Sequence, residues 1–346
     1  MRAIIQDSYG APADVMVLRE VDRPVPGQRE VLLRVHATPV SGTDWHLTRG
    51  LPYVARPITG WRRPKSRIPG YDLAGTVVEV GPGVTTLQPG DQVYGWATGT
   101  FAQYAAVPET HLAPIPVNLT LEQAAAVPIA AFTALQAVRD GAGLRPDQSA
   151  ALARPVRRAG ASAGSDSTGP RVLITGASGG VGTYAVQFAK AYGAQVTGMC
   201  RTSKTDLVAA LGADEVVDYT TTPLRDLGRR FDILIDLYGN PSLADCARVL
   251  VPGGRIAYVG GTGGRWFMGT DRWLRAAMLA PLRGLKTRLV IHKDSYDDLL
   301  TITGMIESGA VRPVLDRTFP LAQAPEAIRY VTDGEVRGQA VLRCAD

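Results

Sequence analysis

A glycine-rich stretch is the strongest chemical signal in this sequence. Residues 172–182 read VLITGASGGVG, so a β-branched apolar run leads directly into four glycines. The part A-x-G-x-x-G stands where a dinucleotide fingerprint has glycine at its first position. Glycine permits a sharp turn and a close approach of backbone to a pyrophosphate, and the following helix offers unpaired N–H groups. The predicted phosphate contacts are Gly176, Ser178, Gly179, Gly180 and Val181.

The residues after the next predicted strand indicate which dinucleotide binds. That strand, residues 195–200, ends in Cys200, where an NAD enzyme usually has a carboxylate for the ribose hydroxyls. Two cations and two hydroxyls follow, and each charge-assisted contact to a 2′-phosphate contributes roughly 1.5–3 kcal/mol. We therefore predict NADPH as the cofactor, although these hydroxyls could instead cap a helix beside solvated cations. The residues concerned are Arg201, Thr202, Ser203 and Lys204.

The elements that position these residues follow from the hydrophobic pattern. From residue 171 to residue 260 strand and helix patterns alternate, with the last strand at 255–260, which predicts a parallel sheet with crossover helices. Before residue 107 the chain has short strands and frequent Gly/Pro turns, which favours a barrel-like β unit. Residues 121–138 are helix-like and are divided by Pro128, residues 324–332 are helical, and residues 339–343 return to strand character.

The predicted fold class is therefore α/β, with a doubly wound parallel-sheet domain inserted into a discontinuous β domain. The predicted domains are residues 1–126 with 296–346, and residues 127–295. Residues 144–170 are rich in Ala, Ser, Gly and Arg without apolar periodicity, and we interpret them as a flexible insertion in the second domain. A lid or a partner-binding segment is the alternative.

Composition excludes several classes of protein. Of 346 residues, 45% are hydrophobic and 20% charged, as in a soluble globular protein, and no run of eighteen apolar residues predicts a membrane span. Three widely separated cysteines argue against a disulfide framework and suit the cytoplasm. The net charge of +5 is not gathered into a basic stripe with interleaved aromatics. We expect a small-molecule substrate, no nucleic acid and no membrane.

Five motifs in order resemble the medium-chain dehydrogenase/reductase superfamily, in its zinc-independent, quinone oxidoreductase-like branch (often labelled NAD(P)-dependent alcohol dehydrogenase). They are IPGYDLAGTVVEVGPGVTTLQPGDQVYG at 68–95, FAQYAAVP at 101–108, AAAVPIAAFTAL at 124–135, TGASGGVGTYAVQFAKAYGA at 175–194 and VRGQAVL at 336–342. The resemblance implies a GroES-like catalytic domain, a Rossmann domain and an active site in the cleft between them. It also implies a homodimer, commonly through a sheet edge near residues 255–260.

The resemblance also bears on zinc. Zinc members carry Cys where this chain has Ser41, and Gly-His-Glu where it has Gly-Tyr-Asp at 70–72, and the third ligand position is Ile129. Their four-cysteine lobe is missing after residue 95. Catalytic zinc needs three Cys, His or carboxylate ligands. We therefore expect no metal.

Without zinc, quinones and conjugated carbonyls are better acceptors than simple alcohols, because hydride adds to carbon and charge spreads onto an oxygen that needs hydrogen-bond donors. Tyr71 replaces a metal-ligand position, and Tyr53 lies in RGLPY, which resembles a stretch where quinone reductases place an active-site tyrosine. Ser41 and Asp44 are candidate polar wall residues. Each tyrosine could instead be a packed aromatic, and Ser41 and Asp44 a cap or turn.

The resemblance supplies the remaining cofactor contacts. Thr133 resembles a residue that contacts the nicotinamide half, Val259 and Gly260 lie at a strand end expected beside that ring, and Tyr219 resembles an adenine-side contact. We therefore expect an NADPH-dependent reductase of quinones or α,β-unsaturated carbonyls. A reductase of simple aldehydes and ketones, with Tyr71 as the acid, and a non-catalytic NADPH-binding protein are the alternatives, which a fold does not separate.

Overall fold

The computed structural model describes residues 1–146, 169–228, 231–261, 264–267, 269 and 271–345. It divides into two compact units. The first unit contains Met1–Phe132, Gly263–Met268 and Lys293–Asp346, and the second unit contains Thr133–Thr262 and Gly269–His292. Most of the insertion expected at residues 144–170, namely residues 147–168, lies outside the described residues.

The strands, in chain order, are β1 (Arg2–Gln6), β2 (Met16–Glu20), β3 (Glu30–Val40), β4 (Asp72–Val80), β5 (Gln92–Trp96), β6 (Tyr104–Pro108), β7 (Leu112–Pro114), β8 (Arg171–Thr175), β9 (Gln195–Cys200), β10 (Glu215–Asp218), β11 (Phe231–Asp236), β12 (Leu250–Tyr258), β13 (Lys286–Leu289), β14 (Leu315–Pro320) and β15 (Gln339–Arg343). The α-helices are α1 (Pro12–Val15), α2 (Gly42–Thr48), α3 (Arg56–Thr59), α4 (Leu121–Ala125), α5 (Pro128–Gln136), α6 (Gly180–Ala191), α7 (Thr205–Ala210), α8 (Leu243–Val249), α9 (Asp271–Leu279), α10 (Tyr296–Glu307) and α11 (Ala324–Thr332). Short 3-10 helices span Tyr53–Ala55, Glu109–His111, Thr202–Lys204, Leu224–Asp226, Pro281–Arg283 and Leu321–Gln323, and a π-helix spans Ala137–Gly141.

The second unit contains a six-stranded sheet in the order β10-β9-β8-β11-β12-β13, and the strands of each neighbouring pair run parallel. Strand β8 has the sequence RVLIT and is buried over its last four residues, as a central parallel strand must be. Helix α6 follows it, with most of its residues buried. The parallel sheet expected from the strand–helix alternation is confirmed.

One detail of this sheet corrects the sequence analysis. Residues 255–260 were expected near a sheet edge, but β12 pairs with β11 on one side and with β13 on the other. The edge strand is β13, whose sequence KTRL shows neither alternation nor a buried face. A strand this short and polar has no recognisable pattern in the sequence. Because β13 was not predicted, the sheet edge was expected one strand too early, at β12.

The first unit is built on a seven-stranded sheet in the order β14-β15-β3-β4-β5-β7, with β6 paired to β3, and on the two-stranded ribbon β1-β2. The strand pairs of the larger sheet are antiparallel except for β14 with β15. Residues 340–343 of β15 pair with residues 37–40 of β3, so a segment late in the sequence extends the sheet begun by β3. Within the described residues, no helix is long and apolar enough to cross a membrane.

Candidate functional site

The glycine loop of the second unit has the geometry of a phosphate cradle. Gly176 follows β8 with φ +67°, a conformation that favours glycine. A Cβ on Gly182 would lie 2.1 Å from the carbonyl oxygen of Gly176, so any side chain there would separate helix from loop. No side chain caps α6 at Gly179, and a Cβ built on Gly179 would find only the Gly176 oxygen, at 3.5 Å. The helix N-terminus is thus open for an anion, and these residues fit a dinucleotide phosphate.

The ends of β9 and β10 bring several predicted cofactor residues together. Arg201 Nε donates to the Tyr219 hydroxyl at 3.4 Å, and both side chains are exposed. The Thr202 hydroxyl donates to Asp218, which also accepts from the backbone N–H of Thr220 at 2.8 Å. The hydrogen bonds from Thr202 and Thr220 lower the pKa of Asp218, so a negative charge stands beside Thr202, the residue that follows Arg201. Asp218 was not among the site residues predicted from the sequence.

Lys204 and Thr133 lie in less open surroundings than the other cofactor candidates. Arg201, Thr202 and Ser203 are exposed, whereas Lys204 is 7% exposed at the start of α7. Burial does not favour a phosphate contact by Lys204, which stays a prediction. Thr133 is buried within α5.

Val259 and Gly260 follow the carboxyl end of β12. Their N–H groups both donate to the backbone carbonyl of Asp236, at 3.1 and 3.2 Å. The structure therefore places them at the carboxyl edge of the sheet, as expected for residues beside a bound dinucleotide. Their contact with a nicotinamide ring stays a prediction.

In the first unit, Ser41 and Asp44 form one hydrogen-bonded cap at the start of α2. The backbone N–H and the hydroxyl of Ser41 both donate to Asp44 Oδ2, each at 2.8 Å. Burial raises the pKa of Asp44 to about 6, against the opposing effect of the Ser41 hydrogen bonds. The two side chains thus cap a helix, and a part in the reaction stays a prediction for both.

Tyr71 is half-buried, and its hydroxyl donates to Asp294 Oδ2 at 2.9 Å. Burial, this hydrogen bond and the nearby carboxylates raise the pKa of Tyr71 to about 12. The phenol therefore keeps its proton at neutral pH and is oriented as a donor. Asp294 lies 223 residues away in the sequence, and the sequence analysis did not identify it.

Asp72 is a buried carboxyl group next to Tyr71 in the sequence. It is 5% exposed, its Oδ2 accepts from the backbone N–H of Ile129 at 3.1 Å, and its Oδ1 has no partner among the described residues. Burial raises the pKa of Asp72 well above its usual range, and the charges of Asp44 and Asp294 raise it further. The sequence analysis considered Asp72 only as a replaced zinc-ligand motif, although a carboxylate entering a buried strand was the available signal.

Tyr53 lies in an aromatic and cationic cluster rather than beside these acids. Its ring meets Trp266 edge to face, with centroids 5.4 Å apart, and the Arg56 guanidinium lies 4.4 Å above it. Its backbone N–H donates to the carbonyl of Arg265 at 2.9 Å. Of the two candidate tyrosines, Tyr71 has a hydroxyl that is hydrogen-bonded to a carboxylate, and the catalytic role of either stays a prediction.

No group of three or more His, Cys, Asp or Glu side chains in the described part of the chain is arranged to hold a metal ion. His46, in the helix capped by Ser41, is partly buried, and burial lowers its pKa to about 4. Its imidazole is therefore neutral at physiological pH.

Comparisons with known proteins agree with this architecture. An alcohol dehydrogenase GroES-like domain model matches residues 27–117, and a zinc-binding dehydrogenase model matches residues 211–342. The chloroplast envelope quinone oxidoreductase homolog of Arabidopsis thaliana is 31% identical, over 99% of this chain and 98% of that protein. A mitochondrial NAD(P)H oxidoreductase of Mus musculus is 30% identical, over 99% of this chain and 89% of that protein.

Solved structures match over the full length as well. The quinone oxidoreductase from Coxiella burnetii has a TM-score of 0.82 and 25% identity, over 100% of this chain and 99% of that chain. The Escherichia coli quinone oxidoreductase, solved with NADPH, has a TM-score of 0.78 over 99% of this chain and 100% of that one. At 20% identity, the second match is a likeness of fold.

Proposed function

Since the chain belongs to the medium-chain dehydrogenase/reductase superfamily, in its quinone oxidoreductase-like branch, we propose that it is a zinc-free, NADPH-dependent oxidoreductase that reduces quinones or α,β-unsaturated carbonyls. The observation that carries the proposal is the Tyr71 hydroxyl. It stands at a position that zinc members give to a metal ligand, and it is held as a protonated donor by Asp294. A phenol can stabilise the oxyanion that a metal would otherwise stabilise.

The glycine loop would hold the pyrophosphate of the cofactor. No side chain caps the start of α6, and a Cβ built on Gly179 would meet only the Gly176 oxygen, at 3.5 Å, which leaves room for a phosphate beside the first N–H groups of the helix. Val259 and Gly260 would lie beside the nicotinamide, and Tyr219 beside the adenine. When bound, NADPH supplies the hydride.

The choice of NADPH over NADH rests on the exposed end of β9. Arg201 would pair with a 2′-phosphate, and Ser203 would donate a hydroxyl hydrogen bond. Thr202 would do so only after its hydroxyl hydrogen turns away from Asp218. Asp218 opposes the preference for NADPH. Its carboxylate accepts a hydrogen bond from Thr202, and its negative charge would repel a phosphate bound there. The proposal therefore requires that the Arg201 attraction exceed the Asp218 repulsion.

The side chains of the first unit would donate the proton that the reduction requires. The Tyr71 phenol has a single hydrogen, which it donates to Asp294 in this structure. On binding of the acceptor this hydrogen would turn from Asp294 to the carbonyl oxygen, and the proton would pass there as hydride reaches carbon. Asp294 orients the phenol, and water then returns the proton to Tyr71. Because its pKa is raised to about 12, Tyr71 stays protonated and able to donate throughout the neutral range.

The absence of a catalytic zinc is supported by the residue types at the three expected ligand positions. Ser41 is hydrogen-bonded to Asp44 and Tyr71 to Asp294, and Ile129 has no side-chain atom that could bind a metal. The backbone N–H of Ile129 donates to Asp72. Metal analysis of the purified protein tests this point, and stoichiometric zinc would refute it.

The function is tested by following NADPH oxidation with benzoquinones, linear and cyclic enones, and simple aldehydes. We expect turnover with quinones or enones and little with aldehydes. Turnover with aldehydes alone would replace the proposed substrate class. Tight NADPH binding without turnover on any acceptor would support a non-catalytic binding protein.

A homodimer is the proposed assembly, and the cytoplasm is the proposed location. The outer edge of the second unit's sheet is β13, and Leu274 and Met278 of α9 are exposed in the same unit. An exposed edge with apolar side chains in the same unit is a common pairing surface. Light scattering after size-exclusion chromatography measures the mass, and a monomer at micromolar concentration would contradict the proposal.

A further inference from the structure

A buried ion pair lies at the carboxyl edge of the second unit's sheet, where it is hydrogen-bonded to Thr175, the residue before the glycine loop. Asp236, the last residue of β11, is 0% exposed, and its Oδ2 lies 2.6 Å from Nη1 of Arg272, whose side chain is 16% exposed. The Thr175 hydroxyl donates to Asp236 Oδ1 at 3.1 Å and accepts from the N–H of Leu237 at the same distance. One carboxylate thus connects the ends of β8 and β11 to helix α9.

Such a pair is weak evidence for stability. Removing two charges from water costs about as much as their attraction returns, and an apolar pair of similar size is often as stable. Burial raises the pKa of Asp236, while Arg272 and Thr175 oppose the rise. A role that an apolar pair lacks is a fixed, directional contact with a third group.

That third group is the backbone of Gly260. Arg272 Nη2 donates to the Gly260 carbonyl at 2.7 Å. From the other side, the N–H groups of Val259 and Gly260 donate to the Asp236 carbonyl. A Cβ on Gly260 would lie 2.1 Å from the Leu237 oxygen, so this backbone also packs directly on the neighbouring strand end.

We infer that Arg272 is a positioning residue for the nicotinamide half of the cofactor: anchored by Asp236, it holds the Gly260 carbonyl and so fixes the backbone of residues 259–260. This inference rests on the proposed function, which places these residues beside the nicotinamide. It predicts that Arg272 affects the nicotinamide half and not the adenosine half, whose contacts lie at the glycine loop and the end of β9.

The test compares two ligands on one variant. Arg272→Gln should weaken NADPH binding about tenfold or more, because a charge-assisted backbone contact is lost. It should also lower kcat at saturating NADPH, while 2′,5′-ADP, which lacks the nicotinamide half, binds within about twofold of its normal affinity. Arg275→Gln is the matched control, since Arg275 lies one turn further along α9 and its exposed side chain pairs with Asp271. The control should leave all three quantities unchanged.

A second variant keeps the inference testable if Arg272→Gln alone fails to fold. Arg272→Gln alone leaves Asp236 buried without a cation, whereas Asp236→Asn combined with Arg272→Gln leaves no buried charge. The double variant should fold and show the same split between NADPH and 2′,5′-ADP. Equal weakening of both ligands, or no change in either, would overturn the inference. Failure of the unaltered protein to bind or oxidise NADPH would refute the proposed function, and the inference with it.

Discussion

Each unit of the molecule buries a carboxyl group at its candidate site, and the two groups are accommodated in opposite ways. In the second unit, Asp236 faces the Arg272 guanidinium and accepts a hydrogen bond from Thr175. In the first unit, Asp72 accepts one backbone hydrogen bond, and the charged groups that shift its pKa, Asp44 and Asp294, are negative. Burial thus raises the pKa of both acids, but a cation opposes the rise in one unit and neighbouring carboxylates add to it in the other.

The largest expected effect is on stability, when Asp236 and Asp72 are each replaced by asparagine in separate variants. Asp236→Asn removes the partner of a largely buried guanidinium and should reduce the free energy of unfolding by about 3–5 kcal/mol. Asp72→Asn puts a neutral group of the same shape in place of an acid whose pKa is raised well above its usual range, and should change the free energy of unfolding by less than about 1 kcal/mol at pH 7. Urea unfolding of the two variants beside the unaltered protein measures both. Similar losses in the two variants would show that Asp72 is charged.

The stability of the first unit should also depend on pH through Asp44. Burial raises the pKa of this carboxyl group from 3.8 to about 6. An acid with a raised pKa in the folded state stabilises that state below its unfolded pKa, and this contribution is lost as pH rises through the folded value. Asp44 alone should therefore reduce the free energy of unfolding by up to about 3 kcal/mol between pH 4 and pH 7.

Asp44→Asn tests the assignment in the same pH series. The variant should lack this part of the pH dependence. Its free energy of unfolding, relative to that of the unaltered protein, should therefore be higher at pH 7 than at pH 4. Parallel curves for the two proteins would mean that Asp44 does not titrate between pH 4 and pH 7.

The next prediction concerns which of the two tyrosines, Tyr71 or Tyr53, donates a proton to the substrate. Tyr71→Phe removes the donor held by Asp294 and should lower kcat with a quinone or enone about 100-fold, the usual contribution of a positioned proton donor. Tyr53→Phe removes a hydroxyl from a ring that packs on Trp266 and Arg56, and should lower kcat by less than about threefold. The reverse order of effects would move the proton donor to Tyr53.

The smallest expected effect concerns the fixed charges at the ends of β9 and β10. Arg201→Ala should raise the KM for NADPH about tenfold and leave the KM for NADH within about twofold, since only NADPH has the 2′-phosphate. Asp218→Asn should act in the opposite sense and lower the KM for NADPH. Steady-state kinetics with both nucleotides would contradict the NADPH preference if Arg201→Ala changed them equally.

The sequence predicted the parts of the site that are local in the chain. The glycine loop, the strand at 195–200 and the helices on either side of Pro128 depend on neighbouring residues, and the structure confirms these elements. It did not predict the pairs Tyr71 with Asp294 or Asp236 with Arg272, because nothing in either segment specifies a partner so distant in the sequence. Asp218 was missed for a related reason, since only the pairing of β10 with β9 brings it beside Thr202.

The pairing of β15 with β3 has a consequence for the order of events during synthesis. Ala340 lies opposite Val40, so residue 340 must be synthesised before β3 can acquire this neighbour. The second unit, by contrast, is contained within residues 133–292, and all of its strands precede β15 in the chain. The edge of β3 that β15 will cover therefore stays unpaired while residues 41–339 are made, and during that interval aggregation competes with folding of the first unit.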